Sequence, residues 1–150
     1  MTTWFDTGIL LKLYTTEPES VAVQSWVRNR TEPIRICVLH RSECSSALHL
    51  KAFRGECDVA VAARALDLVE SDLRSGVLRM VAVDWDAAWE NCHRLATRYA
   101  AETGVRTLDT LHVACALQLE ASEFVTSDRL QATLADQTGL TVIDPTTGTV

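Results

Sequence analysis

The stretch RTLDTLHVACALQLEASEFVTSDRL, Arg106 to Leu130, decides how this chain is read. It sets one carboxylate, Asp109, at the start of an apolar helix and another, Asp128, just past a short β-like run, Glu123 to Thr126. Upstream, TTWFD repeats the strand-then-acid pattern and ends on Asp6. Glu43 lies on a helix that follows the strand-like RICVL. Carboxylates at strand ends and helix starts stand at the edge of a sheet, where open α/β folds bind ligands. A converging set of Asp6, Glu43, Asp109 and Asp128 would repel itself unless a divalent cation held it.

The rest of the chain supplies the frame. Strands are expected over Met1–Phe5, Ile34–Leu39, Leu78–Val83, Glu123–Thr126 and Leu140–Ile143. Helices are expected over Gly8–Tyr14, with Thr7 as cap, and over Ser20–Arg30, Ser42–Arg54, Asp58–Arg74, Asp84–Glu102, Leu108–Glu120 and Asp128–Gln137. Gly55, Gly76 and Gly104 close three of them, and the tail TTGTV after Pro145 reads as frayed. Strand and helix alternate from end to end, the pattern of a parallel sheet with helices on both faces. No linker or repeat interrupts it, so residues 1–150 read as one domain.

Bulk properties narrow the class. A chain of 150 residues can bury roughly 70% of its unfolded surface. The composition, 47% hydrophobic and 23% charged, is ordinary for a soluble domain. No apolar run is long enough to span a bilayer and no signal peptide is evident, so no membrane partner is expected. Five cysteines, an odd number set mostly in apolar patterns, read as reduced and point to the cytoplasm. The net charge of −6 lowers the expectation of a nucleic-acid partner. Bound dications would offset most of that charge where phosphate docks.

Each acid also has a plainer reading. Asp109 and Asp128 suit helix caps, and Asp6 suits a polar strand end. Glu43 is harder to dismiss, because Leu39 and Ala47 flank it on an apolar stripe and a buried carboxylate needs a partner. Thr7, Ser42, Ser46, Thr126 and Ser127 surround the set with hydroxyls. Oxygen-rich, histidine-poor surroundings favour Mg2+ or Mn2+ over zinc.

Taken in order, FDTGILLKLY, LHRSECSSAL, RTLDTLHVACAL and EFVTSD resemble the successive motifs of PIN-domain ribonucleases, most closely small VapC-type toxins of toxin–antitoxin pairs. The resemblance covers nearly the whole chain. It implies a three-layer α/β/α sandwich with a five-stranded parallel sheet, and metal-dependent hydrolysis of RNA with one or two ions. The family's acidic quartet falls on Asp6, Glu43, Asp109 and Asp128, its frequent arginine on Arg41, and its strand-end hydroxyl on Thr126. Thr7, Thr126 and Ser127 would support the ligands. Lys12, Arg41 and Lys51 are candidate phosphate contacts, with ordinary surface solvation as the alternative for each. Such toxins work as homodimers silenced by a cognate antitoxin. Ile9, Leu10, Leu13 and Trp26 are candidate walls for it, though Leu10 and Leu13 suit the core better. The chain departs from the family at Gly8, usually Ser, and at Ser127, where an aromatic is common.

Other readings remain. A PIN fold that binds RNA or protein without cutting is one. A receiver-like signalling domain is another, but Asp6 has no acidic neighbour and no lysine follows Lys51. An aspartic protease would share Asp6-Thr7-Gly8 but is all-β, and a haloacid-type phosphatase needs an acid where Gly8 stands. Cys37, His40, Cys44 and His49 are poorly spaced for zinc. His112 reads first as a satisfied core histidine and second as a substrate or metal contact.

Overall fold

A computed structural model describes residues 2–147. Met1, at the start of the first expected strand, and Gly148–Val150, most of the expected frayed tail, lie outside the described residues. Pro145–Thr147 of that tail form a short 3-10 turn. The Asp144 carboxylate accepts from the Thr146 amide at 2.8 Å.

Strand and helix alternate as expected, in the order β1 (Thr3–Phe5), α1 (Thr7–Leu11), α2 (Ser20–Arg28), β2 (Ile34–Ile36), α3 (Val38–Phe53), α4 (Val59–Ser75), β3 (Leu78–Met80), α5 (Trp85–Thr103), α6 (Thr107–Gln118), β4 (Glu123–Val125), α7 (Arg129–Gln137) and β5 (Thr141–Ile143). Every ladder is parallel. The expected single five-stranded sheet is not what forms. Among the described residues β1, β4 and β5 make one sheet in the order β1-β4-β5, and β2 and β3 make another. The second and third strands are also shorter than expected. Cys37 already serves as the N-cap of α3, so the second strand stops at Ile36 instead of running to Leu39. The third stops at Met80 instead of Val83.

The chain divides into two compact units, one built from β1 through Asp6 together with Ala82 onward, the other from Thr7–Val81. In the first, α6 is buried along Thr110–Ala116. A helix apolar on all sides is an interior helix, and α5 and α7 both pack on it. Trp4, Phe5, Phe124, Val125 and Leu134 complete that core. Gly104 takes a left-handed conformation, φ 70°, to end α5. In the second unit Ile9, Leu10, Val23, Ile36, Leu48 and Leu78 are buried. There α1 is shorter than expected. The amides of Lys12, Leu13 and Tyr14 bond back three residues, to Ile9, Leu10 and Leu11, which tightens the chain into turns. Among the described residues no helix is long and apolar enough to cross a membrane. All five cysteines are free thiols.

Candidate functional site

Parallel pairing of β1 with β4 in the register Phe5↔Val125 brings the residues that follow each strand to the same end of the sheet. Those residues are Asp6 and Thr126. The Asp6 amide donates to the Val125 carbonyl at 2.9 Å. Both side chains are buried, Asp6 at 7% exposure and Thr126 at 0%. Thr126 Oγ1 donates to Asp6 Oδ2 at 2.5 Å. The same oxygen stands 2.9 Å from Gln131 Oε1 and accepts from the Asp128 amide at 3.0 Å. A hydroxyl has one hydrogen, so Asp6 and Gln131 compete for it.

Asp128 realises its plainer reading. Its Oδ1 accepts from the amides of Leu130 and Gln131, both at 2.9 Å, as the N-cap of α7. Asp109 sits in the first turn of α6, with Arg106 rather than Asp109 at the cap. Its Oδ2 accepts from Arg106 Nε at 3.1 Å. The Gln131 side chain closes the circuit by donating from Nε2 to the Asp109 carbonyl at 3.2 Å. Asp6 and Asp128 thus join one hydrogen-bonded network around Thr126 and Gln131 through their carboxylates, and Asp109 joins it through its backbone carbonyl alone, while Ser127 is exposed.

His112 is a core histidine, 2% exposed. It accepts at Nδ1 from the indole N–H of Trp4 at 3.2 Å. An indole nitrogen only donates, so Nδ1 carries no proton.

The other unit holds Glu43. The carboxylate does not stand unpaired on its stripe, since Thr7 Oγ1 donates to Glu43 Oε1 at 2.8 Å. Thr7, expected to cap the first helix, is instead its first residue. Lys12 and Lys51 meet at a shared carboxylate: Lys12 Nζ lies 3.1 Å from Glu17 Oε2 and Lys51 Nζ 3.2 Å from Glu17 Oε1. Partial burial would raise the Glu17 carboxyl, but the hydrogen bonds from Lys12, Lys51 and Thr15 outweigh it and hold it below its ordinary 4.5. Arg41 pairs with Glu70 of α4, Nη2 to Oε1 at 2.7 Å. Each candidate phosphate contact is therefore already balanced by an acid. Ile9 and Leu10, offered as walls for a partner, are fully buried. Leu13 and Trp26 are half-buried, and Arg30 stacks over the Trp26 ring at 4.6 Å.

The cysteine–histidine group serves the fold. The Cys37 amide donates to His40 Nδ1 at 3.1 Å, within a capping box that opens α3. Burial pushes the Cys44 thiol up to about 12. His49 is exposed and bonds the Ser45 carbonyl at 2.7 Å.

A hard dication fits the donor chemistry of the Asp6 network, which presents carboxylate and hydroxyl oxygens. Among the described residues no group of three or more His, Cys, Asp or Glu side chains is arranged to hold a metal ion. Gln131 was not singled out from the sequence. Its signal was the spacing Asp128-x-x-Gln131, which reads as a capping box. The side chain turns instead to Thr126 and Asp109.

An α/β fold with parallel ladders, carrying acids after β1, in the first turn of α6 and at the cap of α7, defines a class of sheet-edge acidic domains. The particular family is settled by comparison. The PIN domain family model matches residues 4–137, and the chain belongs to that family. Solved structures share the fold. FitAcB from Neisseria gonorrhoeae aligns with TM-score 0.63 and 15% identity over 96% of this chain and 98% of that one. VapBC-1 from nontypeable Haemophilus influenzae aligns with TM-score 0.66 and 17% identity over 97% and 99%. FitAB bound to an IR36 DNA fragment aligns with TM-score 0.60 and 14% identity over 99% of each chain. Comparison with curated proteins gave no significant match.

Proposed function

We propose that this PIN domain is a divalent-cation-dependent endoribonuclease acting as the toxin of a toxin–antitoxin pair. The observation that carries the reading is the network joining Asp6, Thr126, Asp128, Gln131 and Asp109 at the end of β1 and β4. Asp6, Asp109 and Asp128 would hold Mg2+ or Mn2+, one ion or two. The ion would supply Lewis acidity for phosphodiester hydrolysis. The chain's own part is to keep these oxygens oriented, Asp6 through Thr126 and Asp128 through the helix amides it caps. Glu43, held by Thr7 in the other unit, is the fourth acid of the family pattern. Unpaired RNA is the favoured substrate, because RNA sequence is read mainly in loops and single strands. Lys12, Arg41 and Lys51 would reach phosphate only by exchanging their present carboxylate partners. The partner is expected to be a small antitoxin, as the pairwise names VapBC and FitAB suggest for those proteins. A homodimer in a reducing cytoplasm is the expected setting.

The test is cleavage of a looped RNA in Mg2+ or Mn2+, with an EDTA control and the Asp109→Asn variant. Activity that needs metal and disappears in the variant supports the reading. Equal cutting by the variant, with contaminating nuclease excluded, removes it. A non-cleaving RNA- or protein-binding PIN module is the second reading, favoured by the absence among the described residues of a ready acid cage. Binding of RNA without cleavage in any divalent metal would select it.

A further inference from the structure

Gln131 is 1% exposed, close to the base of α7, and its side chain reaches both the end of β4 and the first turn of α6. A buried amide needs partners for both ends. The Asp109 carbonyl can only accept, which fixes Nε2 toward Asp109 and Oε1 toward Thr126. Thr126 in turn has one hydrogen and two acceptors, Asp6 Oδ2 and Gln131 Oε1.

We infer that Gln131 is a positioning residue that ties the strand-end hydroxyl of Thr126 to the first turn of α6 and receives the Thr126 hydrogen when Asp6 turns its carboxylate oxygen to a cation. The inference rests on the metal reading above. A cation drawing on Asp6 Oδ2 withdraws electron density from it and weakens it as an acceptor for the buried Thr126 hydroxyl, a cost that opposes ion uptake unless a second acceptor stands by. With Gln131 beside it, the hydroxyl rotates and stays bonded. The Nε2 link adds a second effect, since any shift of Thr126 is felt at the backbone of Asp109. Groups behind metal ligands typically change affinity by about 10–100-fold when replaced.

The variant is Gln131→Met, close in shape and unable to form either bond. Mn2+ affinity is measured by calorimetry on the full chain. Thermal unfolding of the metal-free protein is followed in parallel for the parent, Gln131→Met, Thr126→Val and the double variant. The expected results are Mn2+ binding weakened at least about tenfold and Tm losses in the two single variants that do not add in the double. Unchanged Mn2+ affinity in Gln131→Met overturns the inference. If the parent itself takes up no Mn2+, the metal reading fails separately, and additive Tm losses then overturn the link between Gln131 and Thr126 as well. Should Gln131→Met not fold, Gln131→Asn, too short to span both partners, is held to the same tenfold threshold.

Discussion

Thr126 offers its hydroxyl to the Asp6 carboxylate across the β1–β4 ladder, Oγ1 to Oδ2 at 2.5 Å, with 120 residues between them in the chain. The bond places a buried acid in a fixed orientation at the edge of the sheet. Thr126→Val keeps the shape and removes the hydroxyl. It strips a partner from Asp6, from Gln131 and from the Asp128 amide. A cost of about 1–3 kcal/mol is expected for a buried group left unsatisfied. Urea unfolding should show it, with Thr126→Ser recovering most of the loss. A Val variant as stable as the parent would show that the hydroxyl is dispensable.

Asp109→Asn separates chemistry from stability. The ion pair it breaks is with Arg106, whose side chain is 81% exposed. Exposed pairs contribute about 0–1 kcal/mol, so the denaturation midpoint should barely move. RNA cleavage should fall to the background of the EDTA control.

Asp128 has two jobs that two substitutions divide. Asn caps a helix about as well as Asp, whereas Ala costs about 0.5–2 kcal/mol. Asp128→Asn should therefore keep the stability of the metal-free protein and Asp128→Ala should lower it. Both should shrink the rise in Tm that Mn2+ produces by binding the folded state. An Asn variant that keeps the full metal-dependent rise would remove Asp128 from the ligand set.

The clasp of Lys12 and Lys51 on Glu17 makes stability depend on pH at the acid end. A carboxyl held lower in the folded state stabilises above its unfolded value and loses that contribution as pH falls through the folded one. The contribution of Glu17 is thus complete above its ordinary 4.5 and lost progressively below it. Glu17→Gln should lower the urea midpoint at neutral pH and leave a smaller difference in strong acid. Tyr14 acts at the other end. Burial, and then its hydrogen bond to Asp72 at 2.7 Å, push its hydroxyl well above the ordinary 10.0. That contribution is present below pH 10.0 and is lost as pH rises beyond it. Tyr14→Phe should soften the fall in stability above that point.

Thiol labelling checks the packing. Cys37, Cys44, Cys92 and Cys115 are buried, and only Cys57 is partly exposed. Burial raises the thiols of Cys44 and Cys92, which further slows attack through the thiolate. Native protein should show one fast-reacting thiol, and denatured protein all five. Loss of the fast phase in Cys57→Ser would assign it.

Local pattern was enough to order the elements and to place the acids on them. Alternation of short apolar runs with helical stretches follows from periodicities that each segment carries by itself. Asp6, Asp109 and Asp128 could be set after a strand or at a helix start on that ground, and Gly76 and Gly104 close α4 and α5 as their freedom at positive φ predicts. Partners distant along the chain were decided only by the tertiary structure. Spacing would send Gln131 back to the Asp128 amide, yet it bonds Thr126 and Asp109 because buried packing offers both of its ends a partner. The Arg41–Glu70 pair, the meeting of Lys12 and Lys51 at Glu17, and the Trp4–His112 bond arise in the same way. So does the division of the five strands into two sheets. A periodicity reports which face of an element is apolar, whereas a hydrogen bond depends on what folding brings against that face.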